Sequence, residues 1–441
     1  ATIALSNVLT MTAGQPATVT ESFTDNGELP AKTVQLSLSA PAGWSITPAS
    51  ATTFQAVESG QTVRASFTVV ASRPSGLFET NTLIGTANYS WPKQTTVTVS
   101  ANAPVTTTSP VQAPYRTYSS ASDAPAAFGG SGHQFGVIGA GADLWNNADA
   151  YSSIYLPSSV KTSSTIDTQV TSQQGLTGYG KAGIIVRNDI TGSGTSPEGV
   201  TLLASPSSGI QLQWNSDGDN YIDSVTPANA AIPFSLPIHL KLQRTSADTY
   251  TGYYSYDGSG WYTVGTATVP GQAATQDAGM FVTSHAPGST AQVTFDGFSV
   301  TDGATPPPPG PKSYEAESPA NTISGGARVS SCAGCSGGKK VGFVGSGGTL
   351  TFNGVTAAAT GTYNMTIAYL DGSTDGRQAT VSVNGGSAQL VTFTPTGDFN
   401  TVGTMTIAVQ LNAGSNTITL ANPSAYAPDF DRILVSATPT A

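Results

Sequence analysis

Apolar and polar residues alternate along most of the chain. The alternation is plain in ATVTESFT, TVQLSLSA, TVRASFTVV, TQVTS, IHLKLQRT, TYTGYYSY, AQVTFDGFSV, ATVSVNGG, MTIAVQL and NTITLAN. A period of two puts successive side chains on opposite faces, so each short segment predicts a strand with one buried face. Gly, Asn, Asp and Pro separate the segments at roughly ten-residue spacing, the rhythm of strand, turn and strand. No window of about a dozen residues carries a helical stripe. The expected fold class is all-β, made of sandwiches.

Two stretches interrupt the alternation: ANAPVTTTSPVQ (101–112) and GATPPPPGPK (303–312). The run of four prolines favours an extended polyproline II spacer. Linkers are therefore expected at 105–112 and 303–312, holding apart three domains at 1–104, 113–302 and 313–437. A length of 441 residues agrees with about three domains.

Charged residues make up 10% of the chain and the net charge is −10. Soluble domains usually carry about 25% charged residues. A charge-poor, acidic surface argues against nucleic acid and anionic membranes as partners, because both demand clustered Lys and Arg. No apolar run approaches the roughly 18 residues of a membrane span. The chain opens ATIALSNV, with neither Met nor a basic-then-apolar leader, and is expected to be part of a longer protein. Its Thr-, Ser-, Asn- and Gly-rich composition suggests a secreted, extracellular protein, and a monomer is expected.

In the first block, PAGW (41–44) and the SGQT turn (59–62) resemble the Ig-like module that follows the catalytic barrel in bacterial α-galactosidases and related glycosidases. Trp44 is either a sugar platform or a plug in the sandwich core. The block has no His, no Cys and no clustered carboxylates, as expected of a spacer.

The second block holds His133, His239 and His285, too far apart in sequence for a local metal motif, and also Trp145, Trp214 and Trp261. The stretches KAGIIVRND, GIQLQW and IHLKLQRTSADTYTGYYSYDGSGWYTVG are similar to laminin-G-like or concanavalin-like jelly rolls found beside polysaccharide-active enzymes. That family includes both sugar binders and hydrolases. Glycoside hydrolysis normally needs two carboxylates. The block contains one glutamate, Glu198, and no sequence pattern pairs it with Asp143, Asp189 or Asp219. No catalytic residue is assigned. The run NSDGDNYID (215–223) alternates oxygen ligands as a calcium loop does, or forms a polar hairpin tip. Trp145, in ADLWNNADAY, is either a sugar-stacking aromatic or part of the core.

The third block runs SYEAE, SGGKKVGFVG, ATGTYNMTIAYLDG, ATVSVNGG, LNAGSNTITL and DFDRI in order. The series resembles a family-35 carbohydrate-binding module, itself a jelly roll. The resemblance implies a structural Ca2+ tying the first strand to the last, with Glu315, Glu317 and Asp431 as ligands. Placed two apart on one strand, Glu315 and Glu317 would share a face, and oxygen-only ligands suit calcium. It also implies a polysaccharide or oligosaccharide site in loops at one end of the sandwich. By position, the candidates are Lys340, Asp375, Arg377, Asp398, Phe399, Asn400, Tyr426 and Asp429. The block has no Trp, so ring stacking falls to Phe399 or Tyr426. Cys332 and Cys335 lack the further ligands of a zinc site, and a small disulfide is expected.

Together these features predict a non-catalytic carbohydrate-binding and spacer array that serves a secreted, α-galactosidase-like glycoside hydrolase. The alternative is a glycan-cleaving enzyme whose catalytic domain is the middle jelly roll.

Overall fold

The computed structural model describes residues 1–439 except 7–8, 92–93, 193–195, 198, 229–230, 304–305 and 308. The described residues form strands and one short 3-10 turn, with no α-helix. None of them forms a helix long and apolar enough to cross a membrane. The chain divides into two compact units, residues 1–258 with 262–306, and residues 259–261 with 307–441.

The first unit contains two sandwiches. In the first, the strands Thr2–Leu5, Pro16–Thr24, Thr62–Val70 and Ser45–Pro48 form one sheet. The other sheet is ordered Thr10–Thr12, Gln94–Thr108, Phe78–Trp91, Ala31–Ser39 and Thr53–Val57. Inward positions of both sheets supply Val19, Phe23, Val34, Leu36, Phe67, Val69 and Leu83 to one core. Trp44 packs against that core, as its plug reading requires. The same alternation carries Glu21 inside, between Val19 and Phe23, where it is 0% exposed.

The expected linker at 105–112 is a correction. Residues 105–108 complete the strand Gln94–Thr108, whose end pairs with Thr10–Thr12 on one side and Phe78–Trp91 on the other. Val105, Thr107, Thr108 and Ser109 are buried. Thr and Val are good strand formers, and two neighbouring strands outweigh the disruption from Pro104. The two sandwiches also touch directly. The Ser109 amide donates to the Leu77 carbonyl, and the Gly130 amide donates to the Ser109 carbonyl. A Cβ at Gly129 would lie 2.7 Å from the Leu77 carbonyl oxygen, so glycine permits the close approach. The first two sandwiches therefore form one body, not two modules held apart.

The second sandwich faces two seven-stranded sheets across a large apolar core. Three strands of one sheet, Lys181–Arg187, Val200–Ser205 and Gln276–Thr283, are buried at every position. Their outer face is covered by a second cluster containing Leu144, Tyr151, Ile190, Ile222 and Phe281. Being buried on both faces explains why their sequences read as continuous apolar runs.

The second unit is a sandwich of residues 312–435. One sheet is ordered Arg328–Ser331, Lys339–Gly342, Asp429–Val435, Gly361–Leu370 and Gly403–Leu411, with Lys312–Glu315 also paired to Asp429–Val435. The other is ordered Thr322–Ser324, Thr349–Ala357, Gly414–Ala421, Arg377–Val383 and Gln389–Phe393. The first strand thus lies against the last, in register from Lys312 opposite Val435 to Glu315 opposite Arg432. Cys332 and Cys335 are joined in a disulfide.

Candidate functional site

A bulge in the last strand of the second unit separates two acidic positions. Pairing with Gly361–Leu370 runs regularly to Arg432 opposite Ala368, then resumes with Phe430 opposite Tyr369, leaving Asp431 as the extra residue. A bulge re-aims a side chain. Asp429 reaches Lys340, whereas Asp431 is 2% exposed and lies near Glu315 and Glu317.

On the Asp429 side is a cavity of about 200 Å3 lined by Phe343, Arg377, Phe399, Tyr426 and Asp429. Four separate loops or strand ends supply its walls. Phe343 and Tyr426 meet edge to face, with centroids 5.9 Å apart, and each is about half exposed. Phe343 adopts φ +60, a strained conformation for a bulky residue that turns up at ligand sites. The Arg328 guanidinium lies 3.8 Å from the centre of its ring.

Arg377 lies 4.9 Å from the Phe399 ring centre and donates from Nη1 to the Ala427 carbonyl oxygen at 3.1 Å. Its Nε is 3.6 Å from Asp371 Oδ1. Asp371 is fully buried, and its Oδ1 accepts from the Ser373 amide and hydroxyl. Two glycines leave room for these walls. A Cβ at Gly342 would lie 2.9 Å from Asp429 Oδ1, and one at Gly372 would lie 2.6 Å from the Phe399 ring.

Of the residues singled out from sequence, Arg377, Phe399, Tyr426 and Asp429 converge on this cavity. Lys340 stands behind it. Its side chain is 8% exposed, and its Nζ sits 2.8 Å from Asp429 Oδ2 and donates to the Phe399 carbonyl oxygen. Lys340 therefore positions two wall residues. Asp398 Oδ1 accepts from the Asn400 and Thr401 amides, and those bonds hold its carboxyl below the usual range. Asp398 and Asn400 thus close the turn that carries Phe399. Asp375 is exposed and outside the lining. Phe343, Arg328 and Asp371 were not singled out. The available signal for Phe343 was an aromatic directly after the Lys339–Gly342 strand.

The acidic trio is arranged differently from its expectation. The first strand ends at Glu315 and Glu317 lies in the following turn, so the two do not share a strand face. Even so, Glu315 Oε2, Glu317 Oε2 and Asp431 Oδ1 are all buried without a hydrogen-bond partner. Burial, with added repulsion from Glu315 and Glu317, pushes the Asp431 carboxyl up to about 6. A divalent cation would relieve both the missing donors and the repulsion, and oxygen donors fit calcium. Among the described residues no three His, Cys, Asp or Glu side chains are gathered into a metal cage. The trio shares an electrostatic neighbourhood and not a formed coordination sphere.

In the second sandwich the carboxylates weighed for catalysis have local partners. Asp189 Oδ1 accepts from the Thr191 amide and hydroxyl, and Asp219 Oδ1 accepts from the Tyr221 amide. Asp143 binds the Lys181 ammonium at 2.7 Å. Glu198 lies outside the described residues. In the 215–223 loop, Asn215, Asp217 and Asp223 also accept from backbone amides, as in a hairpin tip. His133 pairs with Asp296, and His239 Nε2 lies 2.9 Å from Gln169 Nε2.

Comparison with known proteins adds two family matches. Residues 11–79 match the family described as NPCBM-associated, NEW3 domain of alpha-galactosidase. Residues 349–435 match the family described as alpha-galactosidase, CBM13 domain. Both matches are to accessory domains of a glycoside hydrolase, as the sequence motifs had suggested. An exo-beta-D-glucosaminidase from Amycolatopsis orientalis is 34% identical over 172 residues, which is 37% of this chain. The match spans 16% of that enzyme's length. A family 35 carbohydrate binding module from Clostridium thermocellum is 38% identical, with 29% of this chain and 98% of the module covered and a TM-score of 0.28. For a family 35 module from Paenibacillus barcinonensis the identity is 30%, the coverage 29% and 99%, and the TM-score 0.26.

Proposed function

We propose that this chain is a non-catalytic carbohydrate-binding and spacer array that directs a secreted glycoside hydrolase to polysaccharide. The observation that carries the proposal is the cavity between Phe343, Phe399, Tyr426, Arg377 and Asp429. Its aromatic walls suit the C–H faces of a pyranose ring. Arg377 offers donors and Asp429 offers acceptors, the pairing that fixes vicinal hydroxyls. Lys340 offsets the charge of Asp429, and Asp371 lies beside Arg377. That near balance favours a neutral sugar over an acidic one. A volume of about 200 Å3 is below the roughly 300–1,000 Å3 of drug-sized pockets, and suits one terminal sugar ring.

The matches to accessory domains of α-galactosidase support carbohydrate binding, and the family 35 modules point the same way. Under this proposal the first two sandwiches form a rigid spacer and the protein is an extracellular monomer. Calcium held by Glu315, Glu317 and Asp431 would fasten the first strand of the sugar-binding sandwich to the last, without taking part in chemistry.

The test is to titrate the full chain with neutral oligosaccharides while assaying the same sugars for cleavage. Binding without turnover is expected. Hydrolysis by the purified chain would favour the enzyme reading, with the middle sandwich as catalytic domain.

A further inference from the structure

In the second sandwich the strands Lys181–Arg187 and Gln276–Thr283 pair side by side, with Lys181 opposite Thr283. That register sets Tyr179, just before one strand, at the same end as His285, just after the other. The loop carrying Asp143 joins them. The Lys181 ammonium, in a residue only 5% exposed, lies 2.7 Å from Asp143 Oδ1 and 2.9 Å from the Leu144 carbonyl oxygen. The Leu144 amide donates to the same Oδ1 at 2.7 Å. The second oxygen, Oδ2, faces His285 Nε2 at 3.5 Å.

That gap exceeds the range of a good direct hydrogen bond. A hydroxyl set off the line between the two atoms can donate to the carboxylate and accept from the imidazole. His285 holds this position at φ +53, a left-handed conformation uncommon outside glycine. Tyr179 flanks the imidazole edge-on at 5.7 Å and is 59% exposed, leaving an aromatic surface toward solvent.

Charge narrows the ligand class. The buried ammonium beside Asp143 repels a metal ion, and the carboxylate repels an anion. A neutral polyhydroxyl compound meets neither objection, and its ring can rest on Tyr179. We propose that Tyr179, His285 and Asp143 form a second site, specific for neutral glycans and independent of the cavity in the other unit.

The experiment uses the full chain with that cavity disabled by Arg377→Ala and Phe399→Ala. The probes are neutral trisaccharides of galactose, xylose and N-acetylglucosamine, observed by saturation-transfer NMR. Transfer to at least one sugar is expected to persist in the disabled chain. It is expected to fall roughly fivefold or more on adding either Tyr179→Ala or His285→Ala, with the melting temperature unchanged. Absence of transfer in the disabled chain, or transfer that survives both added substitutions, overturns the proposal. Loss of binding with the Arg377→Ala and Phe399→Ala changes alone would leave the first cavity's role intact, so the two failures are separable.

Discussion

The Lys340 ammonium lies 2.8 Å from Asp429 Oδ2, behind the cavity wall that Asp429 forms. The same ammonium donates to the Phe399 carbonyl oxygen. One buried cation therefore fixes an acceptor and an aromatic wall of one site, and links site geometry to stability.

Asp429→Ala leaves that ammonium buried without its carboxylate. A loss of about 2–3 kcal/mol of stability is expected, with sugar affinity down by roughly tenfold or more. Replacing both partners with apolar residues, as in Lys340→Met with Asp429→Leu, should restore most of the stability and none of the binding. Chemical denaturation and calorimetric titration of the two variants separate these effects. Recovery of binding in the double variant would mean that Asp429 does not touch sugar.

Gly372→Ala probes the aromatic wall without altering a wall residue. Its Cβ would lie 2.6 Å from the Phe399 ring, which must move. Affinity should fall several-fold while the melting temperature changes little, since Phe399 is only half-buried. Unchanged affinity would remove Phe399 from the site.

Calcium binding predicts opposite effects of one substitution in two media. With calcium present, Asp431→Asn removes a ligand and should lower the melting temperature. In chelator, the same change removes a buried charge that Glu315 and Glu317 repel, and should raise it. Adding calcium to the wild-type chain should raise its melting temperature. A wild-type curve indifferent to chelator, with no calcium found by elemental analysis, contradicts the assignment.

Glu21 makes the first sandwich sensitive to pH. Burial pushes its carboxyl up to about 7 from an ordinary 4.5, against a smaller downward pull from a backbone hydrogen bond at Thr86. Between those two values the unfolded chain releases the proton while the folded chain keeps it. Stability from this group is therefore greatest below about pH 4.5 and falls as pH rises to about 7, by about 3 kcal/mol in all. Glu21→Gln should abolish that fall and stabilise the protein at pH 8. Equal melting temperatures for Glu21→Gln and wild type at pH 8 would contradict it.

Much of this was legible in the sequence because strand alternation is a local property. The Val19, Glu21, Phe23 pattern already put a carboxylate on the inward face, although nothing local showed how far burial would raise its pKa. The motif order also brought Arg377, Phe399, Tyr426 and Asp429 to one end of one sandwich. The role of Lys340 was hidden because its partners come from distant loops. The bulge at Asp431 was hidden because it depends on register with a neighbouring strand. The pairing of residues 105–108 was hidden for a similar reason: Pro, Thr and Ser suggest a linker until the strands on either side are known.

The most direct measurement is calorimetric titration of the wild-type chain and of Phe399→Ala with neutral trisaccharides of galactose, xylose and N-acetylglucosamine. If the cavity is a sugar site, at least one trisaccharide binds the wild type and its affinity falls by roughly tenfold or more in the variant, with no cleavage products. Absence of binding to every probe, or equal affinity in both proteins, would contradict carbohydrate recognition by this cavity.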